Sequence, residues 1–411
     1  MPRRDRHGLA SQVTLASDLP SRFSLCSTLL RDARDIVAER PVFDPPRWAV
    51  ARGWEPFLTG LSDDALAVLE REGLAVHAGR RSGLPNDLQQ LAVDVLRAVT
   101  FVAAVPVESA GVSAQRASLR KRSQVGSFAA LLRDLLPRAA RVVDIGSGHG
   151  HLTRHLARQL DVPVEGWELD AARIAVASRL PGASGTSFRS VDANAASGEL
   201  RPDDLVIGLH ACGELADNAV RAAAKAGAAV ALVGCCLQKR RGDREALSTG
   251  DPRDLLSRDV LGLGNVVLGD RGVEEPLAVR LRSRENRIAL RLLLEDVGLT
   301  TAPGEEMRGL NRRRAVGGLD ELAAAAFALR GVAPPRKAAL RDVGPRASAL
   351  HARLRRWDLP RGMLGRVIEV WVAEDRAAHL AGSERRAAVV LAFDAAESPR
   401  NLAVIAPLPA R

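Results

Sequence analysis

The run Val142-Val143-Asp144-Ile145-Gly146-Ser147-Gly148-His149-Gly150 joins an apolar strand to a tight glycine turn and the start of a helix. Glycines there let the backbone bend sharply and let a ligand approach where a Cβ would collide. A dinucleotide fingerprint requires G-x-G-x-x-G facing a pyrophosphate. His151 follows Gly150, so that pattern fails. Asp144, an acid at the strand end, would repel a pyrophosphate. It suits a ligand with an ammonium and a sulfonium, which is S-adenosylmethionine.

Two further acids fit that ligand. Glu168, in Gly166-Trp167-Glu168-Leu169-Asp170, stands on the next strand where an acid hydrogen-bonds ribose hydroxyls. Asp192, in Val191-Asp192-Ala193-Asn194, ends the strand after that and could face an adenine amino group. The bland alternative is three solvated loop carboxylates. Three acids at three successive strand ends favour a cofactor site of Asp144, Gly146, Ser147, Gly148, Gly150, Glu168, Leu169, Asp192 and Ala193.

Candidate chemistry follows in Leu205-Val206-Ile207-Gly208-Leu209-His210-Ala211-Cys212-Gly213 and in Val230-Ala231-Leu232-Val233-Gly234-Cys235-Cys236. If these are neighbouring strands, His210, Cys212, Cys235 and Cys236 converge beside the methyl donor. A zinc site lacks the usual ligand spacing, and adjacent cysteines on a strand point to opposite faces. Covalent nucleophiles would have only His210 as activator. Small residues packing tight strand ends is the third reading. No metal is expected. An imidazole at the edge of a methyl-transfer pocket can orient or deprotonate an acceptor near neutral pH, so His210 leads the catalytic candidates.

The elements that would position these residues can be read from pattern. Short apolar runs at Arg141–Ile145, Val162–Leu169, Phe188–Asp192, Leu205–His210 and Ala228–Cys236 alternate with helical stretches. That alternation predicts parallel strands with βαβ crossovers, a doubly wound α/β sheet. Before it, helices are predicted after a Ser62 N-cap and after Pro85, where Leu88, Leu91, Ala92, Val95, Leu96 and Val99 form one stripe. After it come Ile288–Leu294, Leu319–Leu329, a long helix through Met363, Leu364, Val367, Ile368 and Trp371, and two closing strands, Ala387–Phe393 and Leu402–Ala406.

The 411 residues, 46% apolar, exclude a peptide, a disordered tail or a disulfide-stapled miniature, and suit two or three domains. No apolar run reaches the roughly 18 residues of a membrane span, and the basic N-terminus lacks a signal-peptide core. Four cysteines without a framework suit a reducing compartment, so a cytoplasmic location is expected. The net charge of +10 invites a nucleic-acid partner. Only four of the 59 basic residues are lysine, however, and tyrosine is absent, so arginine is partly a background letter.

The runs VVDIGSGHGHLTRHLA, LHACGELAD and VGCCLQ resemble the methyltransferase-like family labelled ribosomal RNA adenine dimethylase domain-containing in its better-known eukaryotic members. The tRNA 2′-O-methyltransferases, with a similar His-x-Cys-Gly strand exit, look like more distant relatives. Glu369, Asp375-Arg376 and Phe393-Asp394 through Ser398-Pro399-Arg400-Asn401 match the family's closing helix and strand–turn–strand ending. There are departures. Arg120-Lys121-Arg122-Ser123-Gln124-Val125 lacks the family's basic pair and His-Glu, and the cysteine pair is followed by Leu237-Gln238 instead of an aromatic and His. His210-Ala211-Cys212-Gly213 also stands where amino-adenine methylases carry Asn/Asp-Pro-Pro-aromatic, which argues against that chemistry.

The resemblance implies a Rossmann-like, seven-stranded class I methyltransferase sheet. It would be divided into an N-terminal helical region (1–113), a cofactor-binding half (114–238), a basic helical insertion (239–354) and a completing helix and hairpin (355–411). The departures lie near the presumed substrate side, so the resemblance does not carry over a substrate; the function expected is S-adenosylmethionine-dependent methylation of a macromolecule, RNA before protein. A protein methyltransferase or a non-catalytic S-adenosylmethionine-binding scaffold is the alternative. Between Gly331 and Arg361 eight Lys/Arg face two acids, a net +6. This is either a solvated helix face or a phosphate-tracking surface. On the second reading Arg353, Arg355 and Arg356, with Arg400 in the hairpin loop, would bind substrate.

Overall fold

The computed structural model describes residues 19–42, 44–78, 83–101, 119–132, 139–181, 185–192, 199–265, 276–382 and 385–408. Its apolar runs become β1 (Arg141–Ile145), β2 (Val164–Glu168), β3 (Thr186–Ser190), β4 (Asp204–Cys212), β5 (Ala229–Cys235), β6 (Ala388–Leu391) and β7 (Leu402–Ala406). They form one seven-stranded sheet in the order β3-β2-β1-β4-β5-β7-β6. The first five strands pair in parallel, and β7 runs antiparallel to both β5 and β6. The α/β architecture and the closing hairpin are as the sequence predicts.

Strands buried on both faces read as continuous apolar runs, and β1, β4 and β5 do. On one face Val142, Leu205, Ile207, Ala231 and Val233 pack with Phe128, Leu132, Leu152 and Leu156, from helices Leu119–Leu132 and His151–Ala157. Val143, Val206, Val230 and Leu232 are buried on the opposite face, as strand alternation requires. From β1 the chain steps outward to β2 and β3, then returns to lay β4 on the other side of β1. That reversal falls between β1 and β4, and the carboxyl ends of strands at such a switch point are the place where sheets of this kind bind ligands.

The described residues divide into two units that cut across the four sequence segments. One comprises those within Met1–Ala33, Val95–Val267 and Leu364–Arg411; the other comprises those within Arg34–Asp94 and Leu268–Met363. The reason is pairing over long sequence separations. In the second unit Arg355 donates to both Glu70 carboxylate oxygens at 3.0 and 2.6 Å. In the first, Trp371 donates to Ser27 Oγ at 2.8 Å and stacks on Phe23. The Ser62 cap forms as read, accepting from Ala65 N–H at 3.2 Å. The closing helix is longer than its apolar stripe implies, running Lys337–Ala381. Among the described residues no helix is long and apolar enough to cross a membrane.

Candidate active site

The glycine turn after β1 is tied to β2. The amides of Gly146 and Ser147 both donate to the Trp167 carbonyl, at 2.8 and 3.1 Å. Gly148 N–H donates to Glu168 Oε2 at 2.9 Å, and Asp170 N–H to Oε1 at 3.1 Å. Gly146, Gly148 and Gly150 all have positive φ, 67°, 58° and 68°. A Cβ on Gly150 would stand 2.3 Å from the Phe188 ring, so that glycine answers to protein packing. A Cβ on Gly148 would meet nothing within 4 Å: its side opens away from the protein. Ser147 Oγ is buried without a partner, and Leu169 is 66% exposed just beyond β2. An orphaned hydroxyl, a carboxylate fixed at a strand end and an uncovered leucine beside a glycine turn fit an adenosyl ligand.

Asp144 has a different place from the one expected. Its carboxylate turns inward and accepts from Thr153 Oγ1 at 2.7 Å, with 3% exposure. It therefore anchors the helix that follows the turn. Burial pushes its carboxyl up to about 7, the Thr153 hydrogen bonds pull the other way, and Glu168 adds a further upward push. A folded-state value above the unfolded one means stability present at low pH and lost as pH rises, here between about 4 and about 7. Asp144→Asn keeps an acceptor for Thr153 and removes the titration. The wild-type melting temperature should fall relative to that of the variant as pH rises from 5 to 7; parallel curves would refute this. Asp192 is exposed two residues past β3, whose ladder ends at Ser190. Ala193 lies outside the described residues.

The exits of β4 and β5 carry the histidine and cysteines. Leu209 pairs with Val233 but Ala211 pairs with Gly234, so His210 is an extra residue in the ladder. Such a bulge re-aims side chains and occurs next to active sites. The shift also sets Cys212 opposite Cys235; an unbroken register would have set it opposite Cys236. Among the described residues His210 (φ 70°) and Cys236 (φ 44°) are the non-glycine residues with positive φ. Backbone held in this sparsely populated region costs on the order of 1–3 kcal/mol and clusters at functional sites.

The left-handed turn at Cys236 overturns the expectation that adjacent cysteines point apart. The Sγ atoms of Cys212, Cys235 and Cys236 lie within 4.8 Å of one another, and Cys212 and Cys235 approach to 3.2 Å. Hydrogen bonds from Cys212 and Cys235, then the charges of Lys239 and Arg400, hold the Cys236 thiol far below its usual range. The same bonds and burial push Cys235 up. His210 Nε2 lies 3.0 Å from Gln124 Oε1, an acceptor, so this nitrogen donates and Nδ1 is the basic one. Gln124 also donates to the Glu397 carbonyl at 3.3 Å, joining His210 to the closing hairpin. Sequence reading noted Gln124 only as a departure.

The pairing that holds this edge in place was not legible, although Asp217, Asp375 and Arg376 lie within the runs that carry the resemblance. Asp217 is fully buried in the helix Glu214–Ala226. It accepts from Arg376 Nε at 2.8 Å, Arg240 Nη1 at 2.8 Å and Arg244 Nε at 3.1 Å. Asp375 completes the cluster, accepting from Arg244 Nη2 at 2.7 Å. Arg376 also donates to the Gly213 carbonyl at 3.2 Å, and its Nη1 would lie 2.6 Å from a Cβ on Gly234. Gly213 follows Cys212 and Gly234 precedes Cys235, so the cluster braces both strand exits.

The arginine surface is corrected. Arg355 is spent on Glu70, and Arg356 donates to the Leu61 carbonyl at 3.1 and 2.7 Å and to Asp63 at 2.8 Å. Within the same stretch Arg346 forks onto Asp296, and buried Arg361 donates to the Val37 carbonyl. A helix rich in arginine was packed against acids and carbonyls distant in sequence, which charge counting cannot see. Arg353 is exposed. Arg400 lies near enough to Cys236 to act on its charge.

Residues 120–242 match the model of a family described as a methyltransferase domain. That segment is similar to methyltransferase domains. It spans β1 to β5, the glycine turn, His210 and the three cysteines. Among solved structures the chain is similar to a TehB-like S-adenosylmethionine-dependent methyltransferase from Corynebacterium glutamicum (19% identity, TM-score 0.23, covering 26% of this chain and 60% of that one). It is also similar to an amino pentose methyltransferase from Micromonospora echinaspora (26% identity, TM-score 0.24, 29% and 52%). A third is the magnesium protoporphyrin IX methyltransferase of Synechocystis (20% identity, TM-score 0.24, 34% and 65%). The chain thus spans less than two thirds of each of these proteins. No curated protein matches it.

Proposed function

We propose that the methyltransferase domain binds S-adenosylmethionine and transfers its methyl group to an acceptor at the β4 and β5 exits. The observation that carries this is the glycine turn at the sheet's switch point, fastened to Glu168 through Gly148 N–H at 2.9 Å. When bound, S-adenosylmethionine supplies an electrophilic methyl group on its sulfonium. Glu168 would hold the ribose hydroxyls, Leu169 the adenine face, and Ser147 a polar group at the turn. His210 orients the acceptor and takes up its proton at Nδ1, with Gln124 fixing the ring. The acceptor on this reading is a macromolecule. With Arg355 and Arg356 committed internally, a polypeptide is favoured over RNA.

Calorimetric titration with S-adenosylmethionine, and formation of S-adenosylhomocysteine from it on adding protein or RNA fractions, test the two halves of this reading. Absence of binding would overturn it; binding without turnover on either fraction would leave a scaffold. His210→Ala should lower turnover by about 10²-fold or more, the usual worth of a general base, with cofactor affinity unchanged. Equal turnover would make His210 a packing residue.

A further inference from the structure

We propose that Cys212, Cys235 and Cys236 form a binding site for one thiophilic divalent cation, zinc by chemistry, with three protein ligands and an open fourth position. Three sulfur atoms within 4.8 Å of one another already lie near the spacing a single ion imposes. Tetrahedral zinc with bonds of about 2.3 Å holds its sulfurs about 3.8 Å apart. Cys212 and Cys235, at 3.2 Å, need to separate by only about half an ångström.

The convergence is built into the backbone. It depends on a bulge at His210 that brings Cys212 opposite Cys235. It also needs a left-handed residue at Cys236, where a cysteine side chain is rarely tolerated. Gly213 closes the turn, since a Cβ there would lie 2.1 Å from the Lys239 carbonyl oxygen. The buried Asp217 cluster clamps the flanking glycines. Two strained non-glycine residues beside one three-thiol cluster are unnecessary for packing small side chains, which any regular strand end can do. A disulfide between Cys212 and Cys235 would use two sulfurs and leave the strained third unexplained.

Soft thiolates select zinc over magnesium or calcium. Three protein ligands are also the number found where zinc keeps a position for water or substrate. Coordination converts the thiols to thiolates, and the protons they carry go to solvent. On the methyl-transfer reading, the open position would receive the acceptor's thiol or hydroxyl. The metal site itself does not rest on that reading.

The test uses the full chain, purified with a non-thiol reductant and stripped with chelator, then titrated with cobalt(II) and with zinc. The expected result is one equivalent of either ion per chain. Cobalt should show a sulfur-to-metal charge-transfer band and the visible bands of tetrahedral coordination. Cys212→Ser and Cys236→Ser, neither fully buried, should each reduce the charge-transfer intensity by about a third. Each should weaken zinc by more than the roughly 10–100-fold seen for losing an outer partner of a ligand. Cys26→Ala, in the helix Leu19–Asp32 and outside the cluster, should leave both unchanged. Circular dichroism shows whether each variant is folded, and the wild-type cobalt spectrum does not depend on the variants. Absence of a charge-transfer band in the wild type, or an unchanged band in the folded Cys212→Ser/Cys236→Ser double variant, would overturn the proposal. Neither readout involves methyl transfer, so failure here leaves cofactor binding standing.

Discussion

Asp217→Ala should destabilise the unit that holds the seven-stranded sheet by about 3–5 kcal/mol, the usual cost of removing one partner from a buried charge cluster. Asp217 is the acceptor shared by Arg240, Arg244 and Arg376, and its loss leaves three guanidiniums with Asp375 as the remaining carboxylate of the cluster. Burial alone would raise the Asp217 carboxyl; Arg376 and Arg244 overcome it and hold the group well below the usual carboxylate range. The sign for pH follows. A depressed folded-state value gives stability that is present above the unfolded carboxylate value of about 4 and is lost as pH falls below it. The gap between wild type and Asp217→Ala in denaturant midpoint should therefore be constant from pH 5 to 8 and shrink on acidification. A variant within about 0.5 kcal/mol of wild type at neutral pH, the range of an ordinary surface change, would show that the cluster does not brace the sheet.

Glu168→Gln should weaken S-adenosylmethionine binding by about 1–3 kcal/mol, in the range of a lost charge-assisted hydrogen bond. The carboxylate is 8% exposed and is already fixed by two backbone amides, so it reaches a ligand without reorganising. Glutamine keeps the size but puts an N–H where one of those amides donates. Gly148→Val is the companion variant. At φ 58° a β-branched residue is strained, and its side chain would enter the space that the turn leaves open. Melting curves separate a damaged turn from a filled pocket. Wild-type affinity in both variants, measured by calorimetry, would remove the cofactor from this site.

What the sequence determined by itself was the part governed by local pattern. Apolar runs of strand length, alternating with helices, specified the parallel sheet and its closing hairpin, because strands buried on both faces read as near-continuous apolar runs. The glycine turn and Glu168 were legible for the same reason: a backbone that must turn left-handed and a carboxylate at a fixed distance after it leave a local signature. The tertiary structure decided what depends on register and on partners far away. A bulge of one residue at His210, invisible in the strand's composition, moved Cys212 from opposite Cys236 to opposite Cys235. Positive φ at Cys236 then brought adjacent cysteines to the same side, against the period-two rule that holds only for extended backbone. Asp144 kept its place in the sequence motif but turned inward to Thr153. Arg355 and Arg356 looked like a phosphate surface until Glu70, Asp63 and the Leu61 carbonyl, nearly three hundred residues earlier, were found to occupy them. A charge seen in sequence has no partner until the chain folds, and its partner decides whether it is a surface or a strut.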